Sequence, residues 1–210
     1  MLEMKLPTEA QLRRVYRRDL KASFPLAELK PLREMLAEWR RGEYRPWCLF
    51  DGEEIVGEAF VWTHVPGFCL FDYLCVTSAR RNDGLGSTLI QKLVESERGQ
   101  VLFGESEIPA FAPDRAMAER RLAFYKRNGA RQADYDSCVF GVPYHTLYWA
   151  DGPVSPDALS AAHEATYRSS LPARICDAYV TIPWEPSMGV PKKIPWLGQK
   201  EEKQDEDTRI

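Results

Sequence analysis

The spacing of apolar positions along the chain changes period several times, and each change marks an element. Leu12, Val15, Tyr16 and Leu20 recur at helical spacing behind Thr8-x-x-Gln11, a capping-box start. A short edge strand over Leu2 to Leu6 is expected before this helix, and Pro25 interrupts it. A second helix carries Leu29, Leu32, Met35, Leu36 and Trp39 on its apolar face and ends at Gly42. The strand-like runs Arg45 to Phe50 and Ile55 to His64, around Asp51-Gly52-Glu53-Glu54, read as a hairpin. After Pro66-Gly67 comes an apolar run, Phe68 to Val76, broken mainly by Asp72, which reads as a buried strand.

Leu85, Leu89, Ile90, Leu93 and Val94 then define an amphipathic helix that Gly99 closes, and a strand follows over Val101 to Pro109. A βαβ connection of this kind lays the new strand parallel to the one before it. A third long helix is expected from near Asp114, with Met117, Leu122 and Tyr125 inward and Gly129 as its left-handed stop. Ala133 to Trp149 reads as a β section with Gly141-Val-Pro143 as a bend or bulge. Ser155-Pro156 opens a helix carrying Leu159, Ala162, His163, Thr166 and Tyr167, and Tyr179 to Pro183 reads as a last short strand. Residues 1–183 therefore form one domain, with a helix and strand extension from about residue 150. Residues 184–210 are rich in proline and then charged, and are expected to be a flexible tail.

Composition narrows the function. A chain of 210 residues suits one domain with a sizeable core. A net charge of -3 and a pI near 5.7 argue against a general nucleic-acid binder. Five cysteines, an odd number without paired metal spacing, suit buried and reduced thiols. The N-terminus lacks the long apolar core of a signal peptide and no run is long enough to span a bilayer, so a cytoplasmic protein without membrane contact is expected. His64, His145 and His163 have no ligand spacing and no Cys-x-x-Cys occurs, so no metal is expected, and each histidine reads as structural or surface. No Gly-x-Ser-x-Gly elbow is present. Glu105 and Glu107 alternate onto one face of a strand expected to be central, where an acidic side chain should face a cleft.

The chemistry concentrates between Val76 and Leu89. Arg80-Arg81-Asn82-Asp83-Gly84-Leu85-Gly86-Ser87 joins the apolar strand to the next helix. A strand, a glycine-punctuated turn and a helix N-terminus build an anion site, because the first helical amides lack internal partners and the dipole adds positive potential. The plainer reading of the glycines alone is a tight βα turn. A P-loop would need a lysine ahead of the Ser87 hydroxyl, and a dinucleotide fingerprint would need glycine at Leu89. What matches is Arg81-x-x-Gly84-x-Gly86 directly after a strand, which resembles the pyrophosphate loop of the GCN5-related N-acetyltransferases, the GNAT superfamily. Farther on, the helix through Glu119 that ends in Tyr125-x-x-x-Gly129 is similar to that family's second signature. The Phe-Gly-Val-Pro-Tyr bend at 140–144, Tyr167-Arg168 and the run Glu28-Leu-Lys-Pro31 look like a bacterial branch whose acceptors the resemblance does not name.

The resemblance implies an α/β fold with a mixed, mostly antiparallel sheet, a splayed parallel strand pair and flanking helices. It implies acetyl-CoA as co-substrate. The pyrophosphate would lie on Arg81, Asn82, Asp83, Gly84, Leu85, Gly86 and Ser87, and the pantetheine arm along Leu74, Cys75 and Val76. It also implies Tyr125 as the acid that protonates the leaving thiolate, with Glu105 the candidate carboxylate base. An asparagine common in the family, seven residues before the tyrosine, is here Ala118, so that contact is not carried over. Arg121 reads more simply as surface charge than as a phosphate ligand, and a covalent route through Cys75 is disfavoured because a thiol among apolar neighbours holds its proton. The segment joining the first two helices would border the acceptor cleft, with Phe24 and Trp39 read as core and the nearby Lys and Arg as a solvated face. The expected acceptor is a primary amine of a small molecule or peptide. A homodimer stays open, and the rival reading is a non-catalytic acyl-CoA-binding module or regulatory subunit.

Overall fold

In the computed structural model, which describes residues 1–24 and 29–190, eight strands form one mixed sheet. The strands are β1 (Leu2–Lys5), β2 (Tyr44–Asp51), β3 (Glu54–Val65), β4 (Phe68–Val76), β5 (Val101–Glu107), β6 (Arg131–Val139), β7 (Val142–Trp149) and β8 (Val180–Trp184). Their order is β1-β2-β3-β4-β5-β7-β6-β8, and every neighbouring pair is antiparallel except β4 and β5. The expected interruption at Pro25, the start of the Glu28 run and residues 191–210 of the expected tail lie outside the described residues, whereas the first residue of that tail, Trp184, is buried at the end of β8.

Among the described residues six helices cover the sheet: α1 (Glu9–Val15), α2 (Leu32–Arg41), α3 (Leu85–Ser96), α4 (Arg115–Arg127), α5 (Pro156–Ser170) and α6 (Ala173–Tyr179). The Thr8–Gln11 capping box starts α1, which runs on through a π-helical turn at Tyr16–Leu20 and a last turn at Lys21–Ser23. Leu12, Val15, Tyr16 and Leu20 are all buried, as their spacing predicts. They share one core layer with residues of α2 and α5, including Met35, Leu36 and Leu159, on one face of the sheet. The other layer holds Leu89, Ile90 and Leu93 of α3 with Tyr125 and Trp149. Each fully buried aliphatic side chain in these layers stabilises by roughly 1.5–3 kcal/mol.

Five details differ from the sequence reading. The bend at 140–142 is a two-residue hairpin turn, with Phe140 (φ 51°) and Gly141 (φ 78°) both left-handed, a geometry that matches the twist of the flanking strands. Leu29 is buried but precedes α2, and Met117 faces outward at 45 % exposure. The strand expected to reach Pro109 ends at Glu107. The short helix α6 carries no long apolar period and went unforeseen. All five cysteines are buried, and desolvation pushes every thiol upward in pKa.

The parallel pairing of β4 and β5 lasts for three residue pairs, Phe68↔Val101, Cys69↔Leu102 and Leu70↔Phe103, after which the strands part. Just past that point the Phe71 ring lies across Gly104 of β5. A Cβ on Gly104 would stand 2.1–2.5 Å from ring atoms, so this position accepts no side chain without displacing the ring. On its other side β4 stays paired with β3, but the register slips at Asp72, the unpaired residue of a bulge. The expected splayed pair is therefore present, wedged by Phe71 and bent at Asp72.

Under α1 the chain buries a carboxyl group. Glu58 of β3 is fully buried, accepts a hydrogen bond from the Cys75 thiol at 3.0 Å, and has an Oε1 without a partner among the described residues. Burial pushes its pKa up to about 8, and the nearby Asp19 adds to this while Cys75 and Arg18 oppose it. Folding thus favours the protonated acid, and its contribution is intact below the unfolded carboxyl range near 4.5 and lost as pH rises through about 8. Stability from urea midpoints should fall by a few kcal/mol between pH 5 and 9, since each tenfold weakening of the acid on folding is worth about 1.4 kcal/mol. Glu58→Gln, a neutral side chain of the same shape, should flatten that fall. Parallel pH profiles in parent and variant would refute the burial of a protonated acid.

Candidate active site

The loop after β4 is built to present amides. It passes a 3₁₀ turn at Ser78–Arg80, then two left-handed residues, Asn82 (φ 72°) and Gly84 (φ 76°), before α3 starts. Alternating hand of this sort turns successive N–H groups into one concavity. The Ser87 and Thr88 amides return to the Gly84 carbonyl at 3.2 and 3.4 Å, which leaves Leu85 and Gly86 as the helix-start donors. Leu85 buries its side chain in the core, so only its backbone belongs to the site. The Asp83 carboxylate is drawn aside to Arg80 at 3.1 Å. Arg81 is exposed and reaches back to the Val76 carbonyl at 3.4 Å and the Ser23 hydroxyl at 3.1 Å. Free amides, a glycine in the left-handed region and an arginine fit a phosphate-bearing coenzyme.

Gly86 does a second job. The Phe124 ring of α4 stands 3.4 Å from where a Gly86 Cβ would be, so the loop and α4 are in contact. The next residue, Tyr125, is buried against Phe71 and Trp149, with ring centroids 5.5 and 6.0 Å away. Burial lifts its phenol pKa to about 12, with Arg121 opposing. No hydrogen bond ties its hydroxyl among the described residues. Leu74, Cys75 and Val76 form the end of β4 beyond its pairing with β5. Leu74 and Val76 are half-buried toward the α3 and α4 layer, whereas the Cys75 thiol points to Glu58. Its pKa is raised by burial and by Glu58, which keeps it a thiol.

Glu105 lies in the opposite layer from Tyr125. Its carboxylate accepts hydrogen bonds from Ser137 Oγ (2.7 Å), Tyr167 Oη (2.7 Å) and His163 Nε2 (3.1 Å). Burial alone would raise its pKa, but the hydrogen bond and charge of His163, with the Tyr167 and Ser137 donors, hold it below the ordinary carboxylate value. Glu107, expected on the same face, turns to Arg121 of α4 at 2.9 Å, which accounts for that arginine as a surface partner. His163 is fully buried and also meets the Tyr135 hydroxyl at 3.3 Å. His64 bonds Ser170 at 2.7 Å and His145 bonds Asp136 at 2.8 Å.

Two residues elsewhere in this layer escaped the sequence reading. Asp72, at the bulge, accepts from Tyr44 Oη at 2.9 Å, and burial raises its pKa to about 6 despite the nearby Lys30 and the Tyr44 hydrogen bond. The signal was available: Asp72 is the carboxylate that breaks the apolar run of β4. Lys30, read as part of a solvated face, is instead buried to 11 % side-chain exposure. Its Nζ lies 2.5 Å from Glu38 Oε2, 3.9 Å from the Trp62 ring centroid and 4.8 Å from that of Tyr44. Among the described residues no group of three or more His, Cys, Asp or Glu side chains is placed to hold a metal, and no helix is long and apolar enough to cross a membrane.

Solved structures share this fold. One described as an acetyltransferase of the GNAT family from Bacteroides thetaiotaomicron superposes with a TM-score of 0.65 at 21 % identity, covering 81 % of this chain and 98 % of that one. The ribosomal-protein-S18-alanine N-acetyltransferase of Escherichia coli gives 0.55 at 14 % identity, over 74 % and 97 % of the two chains. Spermidine N-acetyltransferase from Vibrio cholerae, solved with CoA and spermine, gives 0.53 at 9 % identity, over 70 % and 94 %. At these identities the likeness is one of fold. A search of curated proteins gives no match. The family model described as "Acetyltransferase (GNAT) family" matches residues 10–130, a stretch that contains the loop, the splayed strands and Tyr125. More than half of the sequence lies within that match, and the chain belongs to the GNAT family of acetyltransferases.

Proposed function

We propose that the protein moves the acetyl group of acetyl-CoA to a primary amine of a small molecule or peptide, by direct attack in a ternary complex. The observation that carries this reading is the contact of Phe124 with Gly86, which sets the amide-presenting loop and the unengaged Tyr125 hydroxyl on one rigid frame. The pyrophosphate takes the Leu85 and Gly86 amides with Arg81, Asn82, Asp83, Gly84 and Ser87 around them. The pantetheine arm bonds the backbone of Leu74, Cys75 and Val76 where β4 has left β5. Backbone amides there hold the thioester carbonyl as negative charge develops on it. The neutral amine attacks the carbonyl carbon, the C–N bond forms, the C–S bond breaks, and Tyr125 meets the departing thiolate.

With a phenol near 12 against a thiol near 8.5, complete proton transfer from Tyr125 is uphill by roughly 5 kcal/mol. Tyr125 therefore serves chiefly by donating a strong hydrogen bond as charge grows on sulfur. For the amine's proton, two carboxylates stand on the acceptor side, Glu105 and Asp72. Glu105 is in the right charge state, but its three donors make it a weak proton acceptor. A second reading, a coenzyme-binding module without turnover, draws on α5, which lays His163 and Tyr167 over Glu105. Thiol release from acetyl-CoA across an amine panel separates the two.

Gly86→Asp should leave the fold intact, since a carboxylate is favourable at a helix N-terminus, and should abolish CoA binding by occupying the anion's place. Unchanged affinity of the folded variant in calorimetric titration would remove the loop assignment. Tyr125→Phe keeps the ring against Phe71 and Trp149 and removes the donor. It should bind CoA within about threefold of the parent and lose roughly 10²-fold in kcat, the worth of a hydrogen bond to a charged group. A near-normal kcat would leave Tyr125 as packing.

A further inference from the structure

The gap between β4 and β5 is closed at its narrow end by one side chain. Leu74, Cys75 and Val76 stand at the loop end of β4, and the strand runs back from them to Phe71. Phe71 is the first residue past the last parallel pair, Leu70 with Phe103. A coenzyme arm that enters from the loop and bonds the backbone from Val76 to Leu74 therefore carries its sulfur, and any acyl group on it, toward Phe71. The ring lies across β5 at this level, because Gly104 has no Cβ and the place of that Cβ is 2.1–2.5 Å from ring atoms. It is also held from the side. Tyr125 and Trp149 pack on it at centroid distances of 5.5 and 5.6 Å, and the Trp149 indole N–H donates to the Asn128 carbonyl at 2.9 Å. With Phe71 only 6 % exposed, the ring has nowhere to step aside. Interiors packed this closely feel a single added methylene.

We infer that Phe71 is the end wall of the acyl subsite, and that its ring restricts the donor to acetyl-CoA by excluding longer acyl chains. The inference rests on the coenzyme placement in the acetyl-transfer reading above and names the acyl class of that donor. Phe71, Leu74, Val76 and Tyr125 belong to one core layer, so the wall shares its layer with the hydroxyl assigned to the leaving sulfur. Gly104 is the other half of the device. Its missing side chain is the space into which the ring sinks, and that leaves room for a methyl group in front of the ring and for little more. An apolar pocket distinguishes chains that differ by one methylene by roughly tenfold or more, and a wall that cannot move acts at the upper end of such discrimination.

Calorimetric titration with CoA, acetyl-CoA and butyryl-CoA tests the wall and needs no acceptor. The parent should bind butyryl-CoA about 10²-fold more weakly than acetyl-CoA, at roughly tenfold for each added methylene. Phe71→Leu shortens the wall and should bring the two affinities within about threefold of each other. Phe71→Leu also leaves a cavity and can fail to fold, but the preference of the parent is read without it. Equal binding of acetyl-CoA and butyryl-CoA by the parent, or an undiminished preference in folded Phe71→Leu, would overturn the wall and leave the acetyl-transfer reading standing. A folded parent that binds none of the three would overturn both.

Discussion

Backbone N–H and C=O groups in the middle of a sheet must be paired, and β4 and β5 stop pairing with each other after Leu70 and Phe103. The rest of the site depends on that interruption. It is imposed from within: the Phe71 ring lies on Gly104, and the bulge at Asp72 bends the strand away. Beyond it each strand keeps its outer neighbour, β4 with β3 and β5 with β7, so the gap has two rigid walls. An extended chain with amides of its own, such as the pantetheine arm we propose there, would restore the missing pairing. The loop of α3 then lies at one end of the gap, Tyr125 in one core layer, and Asp72 and Glu105 in the other.

In that second layer the acidities of Glu58, Asp72 and Glu105 diverge. Desolvation pushes all three upward. Glu58, with a thiol donor and an acidic neighbour, goes to about 8, and Asp72, with one phenol and a nearby lysine, to about 6. Glu105 alone ends below its ordinary value because three donors, one of them a histidine, outweigh burial. The number and charge of donors decides the outcome, since Asp72 and Glu105 are both half-buried and yet move in opposite directions. Two of those donors, His163 and Tyr167, come from α5, so the C-terminal part of the domain tunes a strand in the middle of the sheet.

What was legible in the sequence was local. The span of β4, the loop with Gly84 and Gly86, the Thr8 and Ser155 caps and the stop at Gly129 each follow from a few consecutive residues. The polar cluster around Asp72 and Glu105 was not legible, because it is assembled across long separations. Tyr44 meets Asp72 from 28 positions away, and Tyr167 meets Glu105 from 62. The bulge at Asp72 breaks the strict alternation from which a strand's faces are read, so side-chain direction at that point could not be inferred. Lys30 looked solvated because charge pattern shows nothing of an aromatic box built by β2 and β3.

The buried cysteines carry a different consequence. Only a thiolate alkylates readily, and in the native chain every thiol is both covered and held protonated. Modification must therefore wait for the chain around each one to open. Cys48, Cys75 and Cys176 sit in the layer of α1, α2 and α5, Cys69 in the layer of α3 and α4, and Cys138 in the small cluster with Ile108 and Trp184. The molecule thus carries natural reporters of its own breathing, and the order in which they are labelled gives the order in which its layers come apart.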